Sequence, residues 1–121
     1  TRVRVVVTNV VKLDGSLLVG VYSKPETWLS ADTVARKDVP VAGNVRDGTV
    51  TFDMLLPPGS YALSVLQDLN ANRKLDVNFI GIPKEPSGSS NDAKATFSAP
   101  KFKDAVFTVG DQPVELRIRL N

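Results

Sequence analysis

Five residues near the middle of the chain have the types and spacing of a cation loop. Asp68, Asn70, Asn72, Lys74 and Asp76 occupy positions one, three, five, seven and nine of a D-x-N-x-N-x-x-x-D frame. Calcium loops of the EF-hand and dockerin type use this spacing. Alternating side-chain oxygens converge on one point, and the seventh residue adds its backbone carbonyl. On this reading the ligand is Ca²⁺, held by the side chains of Asp68, Asn70, Asn72 and Asp76 and by the carbonyl of Lys74. Asn78, Asp92 or Glu85 then folds back to complete the shell. Two positions depart from the frame: Arg73 stands where a glycine makes the sharp turn, and Phe79 where the bidentate Glu belongs. The competing reading is that these Asp and Asn side chains bond to their own turn backbone. Both readings stand at the level of sequence.

Other chemistries are narrowed by what is missing. The chain has no cysteine and no histidine. It therefore offers no thiol nucleophile, no thiolate zinc site and no imidazole to serve as general base or soft-metal ligand. A metal must be a hard cation on oxygen ligands. Carboxylate pairs such as Asp68 with Asp76, or Glu85 with Asp92, have no fixed separation, so a glycosidase reading has little behind it. No catalytic residue is assigned, and the expectation is that the chain is not an enzyme.

The elements that position the frame follow from hydrophobic periodicity. Period-two alternation dominates and helical periodicity is nearly absent. Val3, Val5 and Val7 alternate in the first segment, and Leu17, Val19 and Val21 in the second, whose other face is also apolar. Asp14-Gly15 between them predicts a hairpin turn. A weaker strand is expected between Val39 and Val45, closed by Asp47-Gly48. Further strands are read through Val50 to Leu56, Tyr61 to Leu66, Ala105 to Val109 and Val114 to Leu120. Lys24 to Thr33 suits a short helical turn. A final short strand is placed around Ala95 to Ser98.

This pattern predicts an all-β chain, an antiparallel β-sandwich with a Greek key of immunoglobulin-like or transthyretin (prealbumin)-like kind and about seven strands. The 121 residues suit one domain, residues 1–121. Residues 68–103, rich in Asp, Asn, Gly, Pro and Ser, form a long loop in which a site is to be sought.

Four smaller features have structural readings beside their functional ones. Pro57-Pro58-Gly59 before Tyr61 reads as an inter-sheet corner, with the Tyr61 hydroxyl bonding backbone across the turn. Arg2, Arg4, Arg117 and Arg119 form a basic stripe if the first and last strands are neighbours, one that could meet an anionic surface or partner; the favoured reading of the same residues is a solvated strand face that discourages edge-to-edge aggregation. Trp28 and Leu29 are read as a cap on one end of the core rather than a stacking platform. The +2 formal charge comes without a basic run, so no nucleic-acid partner is indicated. No apolar run is long enough to cross a bilayer. The chain opens at Thr1 without an initiator Met, as expected of a trimmed or processed form, and shows no signal peptide.

The second half carries a longer signature. It comprises PPG-x-Y-A at Pro57 to Ala62, D-x-N-x-N-x-x-L-D from Asp68 to Asp76, and GIPKE at Gly81 to Glu85. G-x-SN follows at Gly88, Ser90 and Asn91, and P-x-F-x-D-A at Pro100, Phe102, Asp104 and Ala105. In these motifs the chain resembles a bacterial family of exported proteins, the domain of unknown function 2141. It departs at Arg73, where that family usually has Gly, and at Ser89, where an aromatic is common. The resemblance implies an exported sandwich, periplasmic, secreted or at the cell surface. It brings no substrate.

The function expected is therefore a non-enzymatic binding or adhesion-like module with a Ca²⁺ site in the Asp68–Asn91 loop, acting on an unidentified protein or cell-envelope partner. The alternative is a structural or assembly domain of the envelope that acts through a strand edge or the basic face. A hydrolase on a transthyretin-like fold ranks third, because the chemistry would lack His and Cys.

Overall fold

The computed structural model describes residues 1–69, 86–93 and 100–120. Among them are nine strands: β1 (Arg2–Thr8), β2 (Ser16–Tyr22), β3 (Ala35–Pro40), β4 (Val45–Arg46), β5 (Thr49–Leu55), β6 (Gly59–Asp68), β7 (Ser87–Ser89), β8 (Phe107–Val109) and β9 (Val114–Arg119). The described helices are short: α1 (Phe102–Ala105) and 3₁₀ turns at Pro25–Thr27 and Ser90–Asp92. The strands form two sheets and not a barrel. The first runs in the order β4-β5-β1-β9, and the second β3-β2-β6-β7 with β8 also paired to β6.

Alternate side chains build the interior. Val3, Val5 and Val7 of β1, Val50, Phe52 and Met54 of β5, and Leu116 and Ile118 of β9 point inward from the first sheet. Leu17, Val19 and Val21 of β2 and Tyr61, Leu63 and Val65 of β6 meet them from the second, in one apolar cluster. Each such side chain taken out of water stabilises the fold by roughly 1.5–3 kcal/mol before entropy is counted. The β2 and β6 strands are buried on both faces, as the doubly apolar pattern of β2 predicted.

Three expectations are corrected. The β1 and β2 strands do not pair with each other, since β1 lies between β5 and β9 while β2 lies between β3 and β6. Asp14-Gly15 is thus not a hairpin turn but part of a crossing from one sheet to the other. The segment expected as one weak strand from Val39 to Val45 is divided between β3 in the second sheet and β4 in the first. Nor are all pairs antiparallel: β1 and β9 run parallel, Val5 opposite Leu116. The hairpin signal at Asp47-Gly48 does operate. Both residues have positive φ, 50° and 73°, as a two-residue turn of type I′ requires between β4 and β5.

Residues 68–103 are not one uniform loop, because β7 and the Ser90–Asp92 turn fall inside that range and α1 begins in it. Ala105 ends α1 and does not begin the following strand. The strand expected around Ala95 to Ser98 lies outside the described residues. At Tyr61 the corner forms as read: its hydroxyl donates to the Pro57 carbonyl at 2.7 Å.

Candidate functional site

Asp68, the first residue of the cation frame, is the last residue of β6, the longest strand described. It pairs with Ser16 of β2 and is only 2% exposed. Asn70, Asn72, Lys74, Asp76 and Asn78 lie outside the described residues, as does Glu85. The structure therefore fixes where the frame starts and what holds that starting point.

Contacts with both neighbouring segments hold it. The Gln67 N–H donates to the Pro86 carbonyl at 2.9 Å, and Leu66 stands opposite Ser87 in the β6–β7 ladder. The two ends of residues 68–86 are thus held side by side, at Gln67 and Pro86. The Gln67 side chain, on the inward face with Leu63 and Val65, donates through Nε2 to the carbonyls of Lys12 and Asp14 at 2.8 and 2.9 Å. Its Oε1 is buried and accepts no hydrogen bond among the described residues. Gly15 lies against the Asp68 carbonyl so closely that a Cβ there would stand 2.1 Å from the oxygen. Its φ of +73° also favours glycine. The crossing between β1 and β2 is therefore clamped to the base of the cation frame.

The return is fixed as firmly. Gly88 packs against β9: a Cβ at this position would come within 2.6 Å of Ile118 Cγ2 and 2.9 Å of the Arg119 carbonyl oxygen. Ser90 is fully buried; its Oγ accepts from the Leu63 N–H at 3.0 Å and donates to the Ala105 carbonyl at 2.5 Å. Asn91, at φ +61°, donates through Nδ2 to the Val106 carbonyl at 2.7 Å. Asp92 Oδ1 accepts from the Arg119 N–H at 2.9 Å. That carboxylate, one candidate to complete a calcium shell, is thus engaged on the last strand. Gly88, Ser90 and Asn91 are the G-x-SN of the sequence signature, and Ala105 closes its P-x-F-x-D-A. Each has a structural task, joining β6, α1 and β9. The profile of a family described as uncharacterized proteins conserved in bacteria (DUF2141) matches residues 5–117. The chain belongs to this family. No curated protein and no solved structure matches it.

The described parts of the DUF2141 signature divide in two. The PPG-x-Y-A and G-x-SN motifs and the terminal Ala105 are joints of the scaffold. Asp68 opens the segment 68–86, whose two ends those joints hold. Sequence reasoning missed Gln67 and Gly15 as anchors. The signal for Gln67 was present: a polar amide follows Tyr61, Leu63 and Val65 at the core period, and such a residue needs internal partners.

Elsewhere, Trp28 does not cap the core. It meets Tyr22 edge-on at 5.1 Å and Phe102 at 6.0 Å between ring centroids, and its Nε1 donates to the Pro100 carbonyl at 2.8 Å. Tyr22 alternates with the inward Val21, so this aromatic group covers the outward face of the second sheet and joins the Pro25–Thr27 turn to α1. Burial pushes the Tyr22 phenol up to about 12. Among the described residues no three acidic side chains gather in a group that could hold a metal. No helix among them is long and apolar enough to cross a membrane.

Proposed function

We propose that this DUF2141 chain is a non-enzymatic binding module of the bacterial cell envelope, with residues 68–91 as its recognition element and Ca²⁺ as the ion that organises it. We also assign the two sheets to a Greek-key sandwich of immunoglobulin-like or prealbumin-like kind. The Tyr61 hydroxyl on the Pro57 carbonyl supports that assignment, since such a corner is a hallmark of immunoglobulin-type sandwiches.

The observation that carries the functional reading is the closure at Gln67 and Pro86. The two ends of a segment polar in sequence are tied to the sheet, and its first frame residue, Asp68, sits at a fixed strand end. Loops fixed on rigid scaffolds are where binding residues concentrate. Ca²⁺ fits the oxygen-only donor set of the frame. Export to the envelope is supported by the resemblance in the sequence motifs.

The test is a thermal melt with and without Ca²⁺. At a concentration about a hundredfold above Kd, a bound ion stabilises by about 2.7 kcal/mol. The shift disappears in Asp76→Ala and in Asn72→Ala, while Mg²⁺ produces a much smaller one. Asp68→Ala is the less informative variant, because a buried strand residue is lost together with the ligand. An unchanged melting temperature at millimolar Ca²⁺ removes the cation from the reading.

A further inference from the structure

The outward face of the first sheet is an arginine surface. Arg2 and Arg4 lie on it from β1, Arg46 from β4, and Arg117 and Arg119 from β9, all exposed. The four strands of this sheet contain five of the chain's seven arginines and none of its eight lysines. A face that needed only solvation and protection from strand pairing would be served as well by lysine. Arginine differs in its planar fork, which matches the oxygens of a phosphate two at a time.

Asp53 and Glu115 are the carboxylates of the same face, and both are engaged. Arg4 Nε stands 3.1 Å from Asp53 Oδ1, and Arg117 Nε 3.9 Å from Glu115 Oε2. Arg2, Arg46 and Arg119 form no ion pair among the described residues. At the centre Val6 is only 9% exposed, whereas Leu55, opposite Arg2, is 79% exposed. Among the described residues the face thus offers guanidinium groups without an ion-pair partner and one protruding apolar side chain.

We infer that this face docks on an anionic membrane surface, its arginines on lipid phosphates and Leu55 at the level of the head groups. A strand face presents its arginines side by side, as a plane of phosphates requires. It carries no aromatic residue on which a sugar or a base could stack. A second copy meeting it face to face would set arginine against arginine. The inference is independent of the cation reading.

The test is co-sedimentation of the whole chain with vesicles, in the presence of a chelator so that Ca²⁺ plays no part. Vesicles of phosphatidylglycerol and phosphatidylcholine in equal parts retain the protein at low salt; phosphatidylcholine alone does not, and high salt releases it. Arg2→Gln and Arg46→Gln each lower the partition coefficient roughly fivefold, or about 1 kcal/mol per charge. The pair Lys101→Gln and Lys103→Gln, on and beside α1, leaves it unchanged. Three results overturn the inference: no retention by the anionic vesicles, an equal loss in the lysine variants, or binding to soluble polyglutamate without binding to vesicles.

Discussion

Replacing Ser90 by Ala tests how the chain that follows residue 86 is secured to the scaffold. In the structure one buried oxygen serves two backbone groups, the Leu63 N–H on β6 and the Ala105 carbonyl at the end of α1. The alanine has nearly the same volume, so packing changes little and both groups lose their partner inside the protein. A buried polar group left unsatisfied costs about 1–3 kcal/mol. The carbonyl keeps the milder penalty because backbone acceptors tolerate under-satisfaction better than N–H donors do. Together the loss comes to about 3 kcal/mol, a large share of the roughly 5–15 kcal/mol that holds a domain folded. Urea denaturation followed by the fluorescence of Trp28 measures it, with Ser60→Ala on the exposed part of β6 as control. The midpoint falls while the slope stays the same, because the surface exposed on unfolding does not change. A loss below about 0.5 kcal/mol, the range of an ordinary surface substitution, would falsify the bridging role of Ser90.

Three further outcomes follow from other joints. Gly88→Ala forces a methyl group into Ile118 and the Arg119 carbonyl; overpacking of this kind costs about 1–3 kcal/mol, readable as a lower urea midpoint. Tyr61→Phe removes the bond to the Pro57 carbonyl but keeps the ring, so stability drops by about 1 kcal/mol; an unchanged thermal midpoint would count against the corner. The Tyr22 phenol is raised from 10.0 to about 12 by burial, so its neutral form is favoured in the folded state. The stability it contributes is whole below pH 10 and is lost as pH rises toward about 12. Tyr22→Phe therefore flattens the alkaline decline in the denaturation midpoint, and an identical decline in both proteins would refute the assignment.

The alternation of Val3, Val5 and Val7, or of Val114, Leu116 and Ile118, was enough to place strands and their inward faces. Side chains two apart in an extended chain must share a side, and that is a local property. The Asp47-Gly48 turn and the Tyr61 corner were legible for the same reason, since the atoms involved are neighbours along the chain. Which strands pair was not legible. Asp14-Gly15 looks like a hairpin turn in isolation, yet the partners of β1 lie some fifty and over a hundred residues away, in β5 and β9. Pairing at such separations is decided by the burial available to the whole chain, not by the turn. The signature around Ser90 and Asn91 was visible as a motif, but its task was not: Leu63, Ala105 and Val106 become its partners only when β6, α1 and β9 are brought together. Gln67 and Gly15 belong to the same class, because a clamp between two remote segments leaves no mark in either one alone. Sequence by itself determined which segments are extended and which faces are apolar. Tertiary structure decided which segments meet, and with that, where the two ends of residues 68–86 are anchored and where the arginines gather, because both depend on contacts between residues far apart in the chain.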